Sequence, residues 1–336
     1  MQKKKSFAIV ALLLIMSLML AACGGGNNAQ QGNQQGDQTP ALSADLIFTS
    51  GGTSGTYYPY AGAVGQIWMN TIEGVSVTVQ SSGGSADNLN KIAAGDADVA
   101  IVQNDTMTYA YQGTESFANA GANNTFSTMG TVYAEVVQLI ARADSGIATV
   151  ADLKGKAVSV GDLGSGVEAN SKQIMAAFGL TFDDVKAQHL GFGASTDAMK
   201  DGQLDAAFIT AGIPTTAVTE FATTNDVVVV PITGAEIDQL LADYGYYTTF
   251  VIPAGTYAGV DQDVTTVAVK ATIVVSNTLD EELVYQLTKS LFENQADLVT
   301  AHAKGGELDV NTAIQGVSVP FHAGAERYYK EVGVIQ

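Results

Sequence analysis

The chain has 336 residues, with 15 Lys and Arg against 34 Asp and Glu, a formal net charge of −19 and a single cysteine. At roughly 150 residues per domain this length predicts two domains, and 46% hydrophobic with 15% charged residues predicts a folded body with an acidic surface. Basic residues past position 5 occur singly, which excludes nucleic acid as a partner, and one cysteine excludes a disulfide framework or a cysteine-rich metal site.

At the start of the chain, Lys3, Lys4 and Lys5 precede an apolar run from Phe7 to Leu20 and then Leu20-Ala21-Ala22-Cys23. A basic segment, about 14 apolar residues and a small-residue cleavage site predict a secretory signal, too short for a permanent membrane span. The end of this segment resembles the lipobox of bacterial lipoproteins, which implies cleavage after residue 22 and a lipid anchor on Cys23. The following Gly/Asn/Gln tract cannot bury an apolar face, so residues 23–44 are expected to form a flexible tether.

From there on, β-rich runs alternate with helical patterns, which predicts an α/β fold with parallel strands. Strands are expected at Asp45–Ser50, Val75–Gln80, Asp98–Gln103, Ala157–Val160, Ala206–Thr210 and Val227–Pro231. Two segments repeat one plan. In the first, a strand ends in Gly51-Gly52-Thr53-Ser54-Gly55-Thr56, a second loop reads Ser82-Gly83-Gly84-Ser85, and Gly95-Asp96-Ala97-Asp98 opens another strand. In the second, Gly161-Asp162-Leu163-Gly164-Ser165-Gly166, Gly191-Phe192-Gly193-Ala194-Ser195 and Gly202-Gln203-Leu204-Asp205 follow in the same order. Gly55 precedes Asp98 by 43 residues and Gly166 precedes Asp205 by 39, so two lobes of like topology are expected.

Helix signals follow the loops. Pro59 and Pro214 suit first turns, Ser85 is placed to cap Ala86–Ala94 with Gly95 as the stop, and Ser165-x-x-Glu168 has the capping-box pattern. Thr278-x-x-Glu281 is expected to cap a C-terminal helix whose Leu283, Leu287 and Leu291 form one core-facing stripe. Glycine-rich strand-to-helix turns present backbone N–H groups and helix N-termini at the carboxyl edge of a sheet, where α/β proteins bind ligands. Two facing lobes would then enclose a cleft suited to an anion or a zwitterion.

Catalytic readings lack a motif. Gly51–Thr56 has no lysine for a phosphate loop, and Gly161-x-x-Gly164-x-Gly166 has the wrong spacing for a dinucleotide site. Ser54 and Ser165 are not in a nucleophile elbow, and His189, His302 and His322 have no feature that pairs one with a nucleophile. Asp96 and Asp98 read as turn and strand-start residues. No enzyme activity, cofactor or metal is expected.

Several of these stretches together resemble one family. Leu46-Ile47-Phe48-Thr49-Ser50-Gly51-Gly52-Thr53-Ser54-Gly55-Thr56-Tyr57-Tyr58-Pro59, Ser82-Gly83-Gly84-Ser85-Ala86-Asp87-Asn88-Leu89, Gly95-Asp96-Ala97-Asp98, and Asp152-Leu153-Lys154-Gly155-Lys156 leading to Val158-Ser159-Val160-Gly161 are similar to the TAXI solute-binding receptors of TRAP-type (tripartite ATP-independent periplasmic) transporters. The resemblance implies a two-lobed, type II periplasmic-binding-protein fold that closes on a solute and delivers it to a membrane permease. It further implies a monomer outside the cytoplasmic membrane, touching that membrane only through its N-terminal lipid, and a ligand among small organic acids and amino acids.

Carried over by position, the ligand shell comprises Gly51, Gly52, Thr53, Ser54, Gly55, Thr56, Tyr57, Ser82, Gly83, Gly84, Ser85, Gln103, Asn104, Tyr133, Gly164, Ser165, Gly166 and Gly212. Lobe I is expected to span 45–132 and 250–336, and lobe II 133–249. With only Arg142 and Arg327 to offer a guanidinium, an anionic solute is expected to be held chiefly by loop N–H groups and hydroxyls. The alternative reading is a sensor of the same fold that presents solute to a membrane signalling kinase.

Overall fold

The computed structural model describes residues 42–336. The expected export signal, the Cys23 anchor and most of the expected tether lie outside them. The folded body begins before the tether was expected to end. Leu42 packs on the core, and Ala44 opens β1 by donating its N–H to Gly74 O at 3.0 Å.

Among the described residues one curled, ten-stranded sheet carries helices on its faces. Its first half is β1 (Ala44–Thr49), β2 (Val75–Gln80) and β3 (Val99–Gln103), in the parallel order β2-β1-β3. Helix α1 (Tyr57–Thr71) follows β1, α2 (Ser85–Ala94) follows β2 and α3 (Asn104–Gln112) follows β3. β4 (Phe126–Arg142) then runs 17 residues into the second half.

There the plan repeats. β5 (Ala157–Ser159), β6 (Lys186–Gln188) and β7 (Ala206–Ala211) take the parallel order β6-β5-β7, followed respectively by α4 (Gly166–Ala177), α5 (Phe192–Lys200) and α6 (Thr216–Thr224). β8 (Val227–Val230) lies antiparallel beside β4; α7 (Ala235–Asp243) and β9 (Thr248–Ile252) follow, and β9 pairs with β10 (Val264–Ser276). β10 returns antiparallel between β3 and β4. Helices α8 (Glu281–Glu293), α9 (Gln295–Ala301) and α10 (Ala323–Glu331) complete the first half.

β3 meets an antiparallel β10 and β7 meets an antiparallel β4, so the two halves have one topology, as the repeated loops predicted. Apolar burial follows the same division. Phe48, Trp68, Val99, Ile101, Leu283, Leu287 and Leu291 share one core, the last three being the predicted stripe; Val158, Ile174, Phe208 and Leu240 share another. β4 and β10 belong to both. β4 gives Met129, Val132 and Tyr133 to the first core and Val137, Leu139 and Ala141 to the second, and β10 gives Ile273 and Val275 to the first and Val267 and Val269 to the second. The β4–β10 register slips twice, leaving Val132 and Met129 as extra residues on β4, which is how a bulged strand bends.

Three expectations about helix starts are corrected. Ser85 is the first residue of α2, whose N-cap is Gly84; its hydroxyl instead accepts from Gln103 N at 3.1 Å, tying α2 to the end of β3. Asp280 caps α8 in place of Thr278, accepting from Glu282 N at 2.8 Å, because a charged acceptor beside the first turn also favours the helix dipole. Pro214 follows a cis peptide bond and precedes the N-cap Thr215, so it lies outside α6. Ser165 does cap α4, accepting from Glu168 N at 3.1 Å, while Glu168 accepts from Gly164 N and not from the cap residue as a reciprocal box requires.

Candidate functional site

The carboxyl ends of the parallel strands in the two halves face each other, and their loops meet around one cavity of about 90 Å³. The first half contributes Gly51, Gly52, Ser54, Gly55, Thr56 and Tyr57 from the β1–α1 turn, Ser82, Gly83, Gly84 and Ser85 from the β2–α2 turn, and Gln103 at the end of β3. The second half contributes Ser165 and Gly166, which completes 13 of the 18 predicted positions. Each turn delivers a helix N-terminus to the wall, where first-turn N–H groups have no acceptor within their own helix.

The loops also bond to one another across the cleft. Thr56 donates its hydroxyl to Gly212 O at 3.1 Å, Gly193 N donates to Ser54 Oγ at 3.1 Å, and Ala217 N donates to Ser54 O at 3.2 Å. With its amide nitrogen turned toward α4, Gln103 donates to Gly166 O at 3.2 Å and to Asn170 Oδ1 at 3.1 Å. A Cβ built on Gly166 would overlap that amide, so a side chain there would have to displace the Gln103 amide from α4.

Five predicted positions are placed elsewhere. Thr53 is exposed on the turn, and Gly164, at φ +74°, uses its N–H on Glu168. Asn104 is a structural tie, donating to Gly316 O and accepting from Lys270 N, each at 3.0 Å. Tyr133 is buried edge-on to Tyr60, ring centroids 4.9 Å apart, and its hydroxyl has no partner. Gly212 lies behind the wall, where Thr56 and Lys304 pack against it.

The sequence reading missed Glu135, Asp162, Val167, Gly191, Phe192, Thr210 and Ala211, which also line the cavity. Phe192 closes one side by packing its ring on Gly55. Thr210, 4% exposed, has a hydroxyl with no partner. Glu135 is 1% exposed in the middle of β4, and Tyr57 donates to its Oε2 at 2.9 Å. Burial raises the Glu135 carboxyl well above the usual range, and burial likewise raises the Tyr57 phenol. The signal for Glu135 was present in the chain: one acidic residue inside the otherwise apolar and small-polar stretch Met129–Ala141 must find a partner or a function.

Among the described residues no lysine or arginine lines the cavity. Arg142 pairs with Asp144, while Arg327 pairs with Glu281 and Glu282 and stacks 3.7 Å from the Tyr285 ring centroid. The histidines have structural partners: His302 and His322 accept backbone N–H groups at helix starts, and His189 faces Glu168. Among the described residues no cluster of metal-ligating side chains occurs.

Solved structures share this fold at low identity. A protein from Bordetella bronchiseptica RB50 aligns at 16% identity over 87% of this chain and 81% of its own, with a TM-score of 0.51. The alkanesulfonate-binding protein SsuA from Xanthomonas axonopodis pv. citri, bound to MOPS, aligns at 16% over 87% and 84%, with a TM-score of 0.45. A putative L-cystine ABC transporter protein from Listeria monocytogenes aligns at 15% over 80% and 98%, with a TM-score of 0.49. The architecture is a mixed α/β fold on one curled sheet, and the solved structures similar to it include periplasmic binding proteins. The family model of the NMT1-like family matches residues 48–333, and the chain belongs to that family.

Proposed function

We propose that the chain is an extracytoplasmic solute receptor that captures a small organic anion or amino acid between two lobes and delivers it to a membrane permease. One observation carries this reading. Loops of like type from both halves converge on a single small cavity and bond to each other across it, so a molecule held there touches both halves at once. A ligand that bridges two bodies favours their closed arrangement by its differential contacts.

In this reading lobe I comprises 45–132 and 250–336, lobe II comprises 133–249, and the hinge lies in β4 and β10, the strands that contribute to both cores. The shell is formed by the N–H groups and hydroxyls at the starts of α1, α2 and α4, with Gln103, Glu135 and Thr210 completing the lining. Cys23 anchors the receptor to the membrane, and the permease is of the TRAP type, on the resemblance of the Gly51–Pro59 and Ser82–Leu89 stretches. The cavity is small beside the roughly 300–1,000 Å³ of a drug-sized site, which favours a compact metabolite.

A thermal-shift screen of the full chain against amino acids and mono- and dicarboxylates tests the reading. A binder at about 100 times its dissociation constant adds about 2.7 kcal/mol to native stability and raises Tm visibly. Recovery of that binder unchanged after incubation agrees with a receptor, and its turnover refutes one.

A further inference from the structure

Glu135 is the group that a general solute shell leaves unexplained. Its carboxyl lies on the cavity wall, buried, with the Tyr57 hydroxyl donating to it and the Gln103 side chain beside it. A carboxylate taken out of water is costly without a cation; it stays protonated or takes a counter-charge from outside. Among the described residues no lining side chain supplies such a charge.

The same lining also carries groups of the opposite character. Helices α1, α2 and α4 begin at Tyr57, Ser85 and Gly166, and their first-turn N–H groups and dipoles favour negative charge. The unpartnered hydroxyl of Thr210, itself 4% exposed, lines the same space. The lining therefore offers an acid at Glu135 together with donors at the helix starts and at Thr210.

We propose that Glu135 is the counter-ion for an ammonium group on the solute, so that the cavity takes a small zwitterion of the amino-acid type and discriminates against the matching carboxylic acid without the amine. This rests on the receptor reading above and names its substrate class.

The groups around Glu135 make the choice measurable. Tyr57 from α1 and Tyr133 on the same strand are neutral, since burial raises both phenols. Asp105 from α3 is a further carboxyl, raised by burial to about 6, and Asp162 lines the cavity from the β5–α4 turn. Burial first, and then the Asp105 charge, favour the protonated form of Glu135 in the free protein. An arriving ammonium expels that proton, whereas an arriving carboxylate keeps it as a hydrogen-bond donor.

The experiment uses matched pairs on the full chain: L-glutamate and glutarate, L-aspartate and succinate, L-alanine and propionate. Calorimetry at pH 7 in two buffers of different ionisation enthalpy is expected to show one amine-bearing member binding, its partner about 100-fold weaker or more, and about one proton released per site. Glu135→Gln is expected to lower affinity for the amine by a similar factor and to narrow the gap within the pair. Should that variant not fold, pair discrimination and proton release in the unaltered protein decide. Equal or tighter binding of the amine-free member, or no proton release, overturns the proposal and leaves the receptor reading standing. Binding by no member of any pair counts against both.

Discussion

Gly166 leaves no room for a methyl group. Its Cα faces the Gln103 amide, so in Gly166→Ala either that buried amide gives up its bonds to Gly166 O and Asn170 Oδ1 or the start of α4 shifts. The expected result is a loss of solute affinity of about tenfold or more together with a lowered Tm of the solute-free protein, read by calorimetry and thermal melting side by side. Asp105 makes a pH prediction of its own. It is fully buried, accepts from Thr106 N and from Asn170 Nδ2 at 2.6 and 2.7 Å, and is raised by burial to about 6. A native carboxyl that holds its proton more tightly than the unfolded chain stabilises fully below about pH 4, and that contribution disappears as pH rises through about 6. Urea unfolding between pH 4 and 7 should therefore show stability falling by up to about 3 kcal/mol, with Asp105→Asn flattening the fall. Glu135 is shifted in the same direction, so its contribution has the same sign. The lowered carboxyls, such as Asp87, act with the opposite sign and at lower pH.

At the scale of elements, Asn88 shows how a helix is fixed to the strands that shape the loops. From α2 it donates to Ser50 O at 2.6 Å and Ile101 O at 2.8 Å, and it accepts from the Thr49 hydroxyl at 2.7 Å. Asn88→Ala strands these groups in a fully buried site and should cost about 2–4 kcal/mol in urea unfolding, with the ends of β1 and β3 loosened together. The glycine turns, the Ser165 cap and the repeated strand plan were legible because each depends on local chemistry and short spacing. Ser85 and Thr278 were misread because a serine before a helix and a Thr-x-x-Glu pattern name eligible caps, while structure chooses among them: Gln103 N claimed the Ser85 hydroxyl, and Asp280 took the cap of α8. The length of β4 was not legible, since Glu135 and Gln138 interrupt its apolar pattern. In the fold both are buried, Glu135 at the cavity and Gln138 donating to Thr215 Oγ1 at 2.9 Å. Tyr133 and Asn104 were given to the ligand by position alone; contacts with Tyr60, Gly316 and Lys270 place them in the supporting structure.

For the molecule as a whole, the cross-cleft contact of Ser54 with Gly193 offers a lock. A Cβ on Gly193 would lie 3.7 Å from Ser54 Cβ, within the 3.5–4.5 Å span of disulfides. The pair Ser54→Cys with Gly193→Cys should form a bond under mild oxidation, faster with bound solute than without, and the oxidised form should exchange solute far more slowly than the reduced one. Gel mobility and dissociation kinetics report the two outcomes; equal rates with and without solute would argue against closure as the binding step. The bulges at Val132 and Met129 carry a last consequence. They bend β4 where it lies hydrogen-bonded to β10, so the halves are joined by a ribbon with a built-in crease and not by loose linkers. In the proposed receptor reading, closure about that crease would change one distance between the halves above all others. Two fluorophores, on exposed Asn90 of α2 and exposed Lys172 of α4, would read that distance continuously and turn the protein into an optical gauge of solute concentration.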